Sequence, residues 1–116
     1  MSLSRRHNHK IYKLDDPRDK SIHYVGRTRK ELLFRLRQHI TMKDNNPLKR
    51  VWIDELRELG LDPLISLIED GLPELLAEKR ETYWIEYYWS QGEPLTNVDK
   101  ISIKRRSPVS IALRET

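Results

Sequence analysis

Apolar and polar positions along the chain predict three strands. Short runs rich in apolar residues indicate strands at 10–14 and 21–26, and the Asp-Asp-Pro sequence between them is a turn signal. A further apolar run at 63–70 indicates a third strand. The first two runs are close enough in sequence to form an antiparallel hairpin.

The period of two in a strand predicts which of these side chains share a face. Tyr12 and Leu14 are expected on one face of the first strand. Ile22, Tyr24 and Gly26 are expected on one face of the second. If the register permits, the two tyrosines therefore point the same way.

Apolar residues at helical spacing predict three helices, at 29–41, 47–59 and 72–91. Asn46 is a suitable N-cap for the second helix and Pro47 a suitable first residue. The core-facing residues expected in that helix are Val51, Trp52 and Leu56. The element order β-β-α-α-β-α predicts an α+β fold, in which helices flank a small three-stranded antiparallel sheet.

The length of 116 residues fits one domain. We expect a flexible N-terminal arm over 1–9, a folded domain over 10–98 and a basic C-terminal extension over 99–116. The net charge of +4 favours an anionic partner such as nucleic acid. The absence of cysteine excludes disulfides and zinc-thiolate sites, and no apolar run is long enough to span a membrane. An intracellular location, cytoplasmic or nucleoid-associated, is expected.

The longest predicted helix carries a carboxylate where apolar residues dominate. At about 100° per residue, Glu81 falls between Tyr88 and Ile85 on a broad apolar arc. An isolated buried charge is costly, so this carboxylate needs a partner. A salt bridge with Arg80 and a hard cation bound through oxygen are both open interpretations.

Two short motifs and three later polar residues occur in the order of a known family. The motifs are Lys10-Ile11-Tyr12 and Tyr24-Val25-Gly26, and the later residues are Arg35, Glu81 and Asn97. On the predicted element order, this set resembles the GIY-YIG nuclease superfamily over roughly residues 10 to 98. The chain departs from the family pattern in having lysine for the first glycine and valine for isoleucine. The segment between the second motif and Arg35 is also one residue longer than expected.

The resemblance implies a metal-dependent endonuclease that hydrolyses phosphodiester bonds in DNA. It implies that Glu81 binds a single Mg²⁺ or Mn²⁺, that Arg35 grips the phosphate and that Asn97 supports the site by hydrogen bonding. Tyr12 or Tyr24 would orient or deprotonate the attacking water. Because a free phenol has a pKa of about 10, the mechanism would need a nearby cation to lower it.

Further basic residues are candidates for contact with DNA. His39 lies one helical turn after Arg35 and could relay a proton or touch phosphate, or could be an ordinary surface histidine. Candidate backbone contacts, each of which could equally be a solvated charge, are Arg27, Lys49, Arg50, Lys104, Arg105 and Arg106.

Two other functions remain open. The first is a catalytically silent nucleic-acid-binding module of the same fold. The second is a protein-interaction domain whose docking face is the aromatic helix, with Tyr83, Trp84, Tyr87, Tyr88 and Trp89. Family members usually carry an additional targeting domain, so a partner protein or a homodimer is a possible means of finding the target.

Overall fold

The computed structural model describes residues 8–42 and 44–97. The predicted fold is confirmed: a three-stranded antiparallel sheet is combined with three helices in the order β-β-α-α-β-α. The first strand begins at His9, one residue inside the predicted arm, and the predicted C-terminal extension lies outside the described residues. The elements are β1 (His9–Asp15), β2 (Ile22–Thr28), α1 (Leu32–Thr41), α2 (Pro47–Glu58), β3 (Leu64–Leu72) and α3 (Glu74–Ser90).

Strand β1 is the centre of the sheet, whose order is β2-β1-β3. Because successive side chains of β1 point to opposite faces, the sheet has a buried cluster on each side. One cluster joins Tyr12 and Leu14 to α2, with Leu32, Leu36 and Ile40 of α1 beside it. The other joins Ile11 and Val25 to Ala77 and Ile85 of α3. The sheet therefore separates α1 and α2 from α3.

A β-bulge changes the face on which β2 begins. Leu14 pairs with Tyr24, but the next pair is Asp15 with Ile22, so His23 is bypassed. The expectation that Ile22 shares a face with Tyr24 is therefore wrong. Ile22 packs into the cluster against α3, whereas Tyr24 packs with the cluster on the other side.

Helix α2 begins as predicted, with the Asn46 side chain accepting a hydrogen bond from the backbone N–H of Lys49 and with Pro47 at the first position. One core assignment in it is wrong, because Val51 is 65% exposed. The buried stripe of α2 consists of Lys49, Trp52, Ile53 and Leu56. At about 100° per residue, Val51 lies on the opposite side of the helix from the centre of that stripe.

Helix α1 begins at Leu32, three residues after the predicted start at 29. Thr28 ends β2, and its hydroxyl oxygen accepts a hydrogen bond from the backbone N–H of Lys30 at 3.0 Å. This side-chain turn competes with helical hydrogen bonding and delays the helix. Within the described ranges, every helix is too short or too polar to cross a membrane.

Candidate active site

The two motif tyrosines lie side by side on the face of the sheet that α1 and α2 cover. Tyr12 pairs with Gly26 and Leu14 with Tyr24, so the tyrosine rings are diagonal neighbours with centroids 6.3 Å apart. The predicted common orientation of the tyrosines is therefore confirmed. Tyr12 is fully buried, whereas Tyr24 is only half-buried.

Gly26 makes this arrangement possible. A Cβ atom added at Gly26 would lie 2.5 Å from Tyr12 Oη and 2.8 Å from Tyr24 Cε2. Both separations are far below van der Waals contact, so any larger residue would displace one ring or both. The sequence marked this glycine as part of a motif, but its role becomes visible only from the pairing of β1 with β2.

A chain of hydrogen bonds connects Tyr12 to buried polar groups. His39 Nε2 lies 2.6 Å from Tyr12 Oη, and Arg35 Nε donates to the same oxygen at 3.2 Å. On the other side of the imidazole, Lys49 Nζ lies 2.9 Å from His39 Nδ1. Lys49 Nζ also donates to Asp44 Oδ2 at 2.5 Å. Five side chains from β1, α1, α2 and the loop before α2 thus form one network.

Burial sets the ionisation of the tyrosines. It raises the pKa of Tyr12 above its ordinary range and that of Tyr24 to about 12, because a phenolate would be poorly solvated there. The Arg35 charge acts in the opposite direction on both hydroxyls but is outweighed. Arg35 alone therefore does not bring the pKa of either tyrosine below its ordinary value, and both side chains are neutral phenols.

Glu81 of α3 lies close enough to the two tyrosines to act on them by its charge. Its side chain is 12% exposed, and Oε1 lies 3.7 Å from Arg27 Nε of β2. Its negative charge raises the pKa of both Tyr12 and Tyr24, which places the carboxylate within electrostatic reach of the two hydroxyls. The burial of Glu81 expected from the helical pattern is confirmed.

Of the two interpretations left open for Glu81, the salt bridge with Arg80 is not the one formed. Arg80 instead donates to Glu69 Oε2 of β3 at 2.6 Å, and its guanidinium lies over the ring of Tyr83, 4.5 Å from the centroid. Adjacent residues of a helix lie about 100° apart, so Arg80 faces a different strand from Glu81. Arg27, a candidate contact for DNA phosphate, faces this carboxylate.

The donor set suits a hydrated hard cation. Among residues 8–42 and 44–97, no three His, Cys, Asp or Glu side chains come together in a group that could hold a metal. Mg²⁺ characteristically keeps several waters and takes one or two carboxylates together with substrate phosphates. One partly accessible carboxylate therefore fits Mg²⁺ or Mn²⁺, whereas a structural zinc site would need four protein ligands.

His39 and Lys49 occupy different positions from those expected of phosphate contacts. They are 2% and 3% exposed, so neither can lie against a DNA backbone. Arg50 donates to the backbone carbonyls of His39, Ile40 and Met42 and thereby caps the C-terminal end of α1. The predicted contacts at 104–106 lie outside the described residues.

Asn97 holds β2 in place from the chain that follows α3. Its side-chain amide donates to the carbonyl of Val25 at 2.7 Å, and its Oδ1 accepts from the Val25 N–H at 3.0 Å. Val25 lies directly between Tyr24 and Gly26. Asn97 therefore acts on the site by fixing the strand that carries the second motif.

The burial of His39 predicts that the folded protein loses stability in acid. Burial, followed by the charges of Lys49 and Arg35, lowers the pKa of His39 from 6.5 to about 3. Between pH 6.5 and pH 3 the unfolded chain binds a proton at this histidine and the folded protein does not, which favours the unfolded state. The contribution of neutral His39 to stability is therefore complete above pH 6.5 and is lost as pH falls toward 3. Lowering the pH from 7 to 5 is expected to reduce the free energy of unfolding by roughly 2 kcal/mol through this group. Urea unfolding at both pH values measures the difference, and a His39→Gln variant that kept the full pH dependence would contradict this assignment.

Comparison with known proteins finds no relative of this chain. No family model matches the chain, and it has no match among curated proteins or solved structures. Its function is therefore inferred from the geometry of the site.

Proposed function

We propose that this chain is a GIY-YIG-type endonuclease, which hydrolyses phosphodiester bonds in DNA with one divalent cation. The observation that supports this is the grouping of Tyr12, Tyr24 and Arg35 on one face of the sheet, with the Glu81 carboxylate close enough for its charge to raise the pKa of both tyrosines. These residues come from β1, β2, α1 and α3 and are far apart in sequence. Together they supply hydroxyls, a guanidinium and a carboxylate, the groups that metal-assisted phosphoryl transfer requires.

Arg35 is the phosphate-binding group of this proposal. Its Nε donates to Tyr12 Oη, and its Nη1 donates to Gln38 Oε1 at 3.2 Å, so the guanidinium is held on two sides. A guanidinium has five N–H donors, and these two bonds leave it further donors for a phosphate oxygen. A planar fork of fixed charge stabilises negative charge that develops on phosphate oxygens during the reaction.

Glu81 is the residue that would hold Mg²⁺ or Mn²⁺ through its carboxylate. When bound, such a cation supplies positive charge that stabilises the reacting phosphate and the leaving oxygen. Arg27, which lies beside the carboxylate and is partly exposed, keeps Glu81 in place by opposite charge, and in this proposal it also contacts a neighbouring backbone phosphate.

Tyr24 is the tyrosine that orients the attacking water in this proposal. The hydroxyl of Tyr12 is enclosed by His39 and Arg35, and its side chain is fully buried. Tyr24 is half-buried and therefore reaches the open side of the site. A neutral phenol can accept a hydrogen bond from water. This bond fixes the orientation of the water molecule, and with it the direction in which the lone pair of the water oxygen points.

Cleavage of supercoiled plasmid tests this function. Wild type is expected to nick plasmid with Mg²⁺ or Mn²⁺ and to be inactive with chelator. An Arg35→Lys variant is expected to lose about a hundredfold in rate, because a lysine cannot reproduce the planar fork. Arg37→Lys is the matched control, because Arg37 is exposed on the same helix, and its rate should equal that of wild type.

Binding assays on the same samples distinguish the two alternative functions, a catalytically silent nucleic-acid-binding module and a protein-interaction domain. Binding to plasmid and to branched DNA without cleavage of either would favour the catalytically silent module. Absence of both would favour the protein-interaction domain, for which the structure offers Tyr83 and Tyr87, 48% and 43% exposed on α3. The other aromatic side chains of that helix, Trp84, Tyr88 and Trp89, are half-buried.

A further inference from the structure

A buried lysine lies beside the tyrosines, and the proposed chemistry does not use it. The ammonium of Lys49 contacts His39 Nδ1 and Asp44 Oδ2 and lies 4.5 Å from the centroid of the Tyr24 ring. Burial lowers the pKa of Lys49, and the Asp44 carboxylate opposes that shift. Taking an ammonium out of water is costly, and the adjacent carboxylate offsets part of the cost.

The position of Lys49 in its helix is also unfavourable for a cation. Pro47 is the first residue of α2, so Lys49 lies in the first turn, where the helix dipole repels positive charge. Neither burial nor helix electrostatics accounts for a lysine here. A residue that breaks two local rules at once is expected to serve another purpose.

The contact with His39 fixes a proton. An ammonium group has only donors, so Nδ1 of His39 must accept from Lys49. The depressed pKa of His39 keeps the imidazole neutral, and a neutral ring that accepts at Nδ1 carries its one proton on Nε2. The contact of 2.6 Å with Tyr12 is then a donation from His39 Nε2–H to Tyr12 Oη.

This direction determines where the hydroxyl proton of Tyr12 points. Tyr12 Oη accepts from both His39 and Arg35, so the two lone pairs of the oxygen are used. Its own proton is left to donate elsewhere. Tyr24 is the neighbour of Tyr12 on the same face of the sheet, with ring centroids 6.3 Å apart, so the proton can point toward the Tyr24 ring and its hydroxyl.

We propose that Lys49, held by Asp44, is a positioning residue that fixes His39 in the Nε2–H tautomer and thereby directs the hydroxyl of Tyr12 toward Tyr24. Without the lysine, the other tautomer becomes available, and Nε2 would then accept from Tyr12 and turn its hydroxyl away. The tautomer itself follows from the geometry alone, and its effect on the reaction rests on the proposed nuclease function.

Nuclear magnetic resonance of the full chain with ¹⁵N-labelled histidine tests the tautomer directly. In two-bond ¹H–¹⁵N spectra at pH 7, wild-type His39 is expected to show a protonated Nε2 and an unprotonated Nδ1, with a His39→Gln variant supplying the assignment. A wild-type ring protonated on Nδ1 would overturn the proposal. This measurement needs no lysine variant to fold.

Variants of Lys49 test whether the lysine is what fixes the tautomer of His39. Lys49→Met keeps the length of the side chain but removes its donors, and a substantial population of the Nδ1–H tautomer is expected. Lys49→Arg retains donors and should preserve the wild-type tautomer. Lys30→Met, which removes an exposed ammonium, is the matched control. An unchanged tautomer of His39 in Lys49→Met would contradict the positioning role of Lys49.

Kinetics test the consequence for the reaction. If the chain cleaves DNA, Lys49→Met is expected to lower kcat roughly tenfold to a hundredfold through misplacement of the tyrosine hydroxyls, with KM unchanged. Lys49→Arg should restore part of kcat. A shifted tautomer with unchanged kcat would overturn the role in the reaction. Because the tautomer is read without DNA, a failure of the nuclease proposal is distinguishable from a failure of this one.

Discussion

Substitution of Glu81 by glutamine is expected to reduce metal-dependent cleavage of DNA by about a thousandfold or more. The amide keeps the shape of the side chain but loses the charged oxygen ligand that a hard cation prefers. Charge stabilisation by a bound cation is worth several kcal/mol, and each 1.36 kcal/mol corresponds to about tenfold in rate. The fold should remain intact, because the amide keeps the volume of the side chain and an ion pair with the partly exposed Arg27 stabilises little.

Initial rates of plasmid nicking over a range of Mg²⁺ concentrations measure this loss. The matched control is Glu78→Gln, a change of the same chemistry at an exposed position of α3, and its rate should equal that of wild type. Electron paramagnetic resonance of Mn²⁺ gives a second readout that does not depend on cleavage. Wild-type rates in Glu81→Gln, or unchanged Mn²⁺ binding, would be incompatible with Glu81 as the metal ligand.

Replacement of Gly26 by alanine is expected to be nearly as damaging, for a steric reason. The new Cβ would lie 2.5 Å from Tyr12 Oη and 2.7 Å from Tyr12 Cζ, and that hydroxyl is held by His39 and Arg35. Overpacking of this kind typically costs about 1–3 kcal/mol of stability. A displacement of the tyrosines by about 1 Å is expected to slow cleavage by roughly a hundredfold.

A double-mutant cycle distinguishes this clash from a general loss of stability. Tyr12→Ala removes the two atoms closest to the added Cβ, so Tyr12→Ala combined with Gly26→Ala should be more stable than the sum of the single changes predicts. Urea unfolding gives the free energies, and cleavage should remain lost in the double variant. Strict additivity would mean that the alanine does not meet the ring of Tyr12.

Strand periodicity predicted the neighbouring tyrosines, and helical periodicity predicted the burial of Glu81, because each depends on local geometry. Both patterns give wrong assignments where pairing or packing with another element decides the position of a side chain. Ile22 changes face because a bulge bypasses His23, and nothing in the local alternation marks that bulge. The helical pattern also named Arg80 as a partner of Glu81, but the packing of α3 against the sheet decides which strand each side chain meets.

The buried network beside Tyr12 is the part that the sequence could not predict. A lysine at the start of a helix has the properties of a surface residue, and a histidine one turn after an arginine suggests solvent or phosphate. The packing of α1 against α2 instead brings Lys49 to His39 and points the side chain of Arg50 at the end of α1. Contacts between separate helices depend on their relative placement, which propensities and motifs do not specify.

The hydrogen bonds of Asn97 and Thr96 also protect the outer edge of the sheet. β2 is an edge strand, and an open edge offers unpaired N–H and C=O groups to strands of other molecules. Here Asn97 pairs with both backbone groups of Val25, and Thr96 donates to the carbonyl of His23. One side-chain amide thus acts as a short piece of a fourth strand. The strand that carries the second motif is closed by its own chain against strand addition, the route by which sheet proteins aggregate.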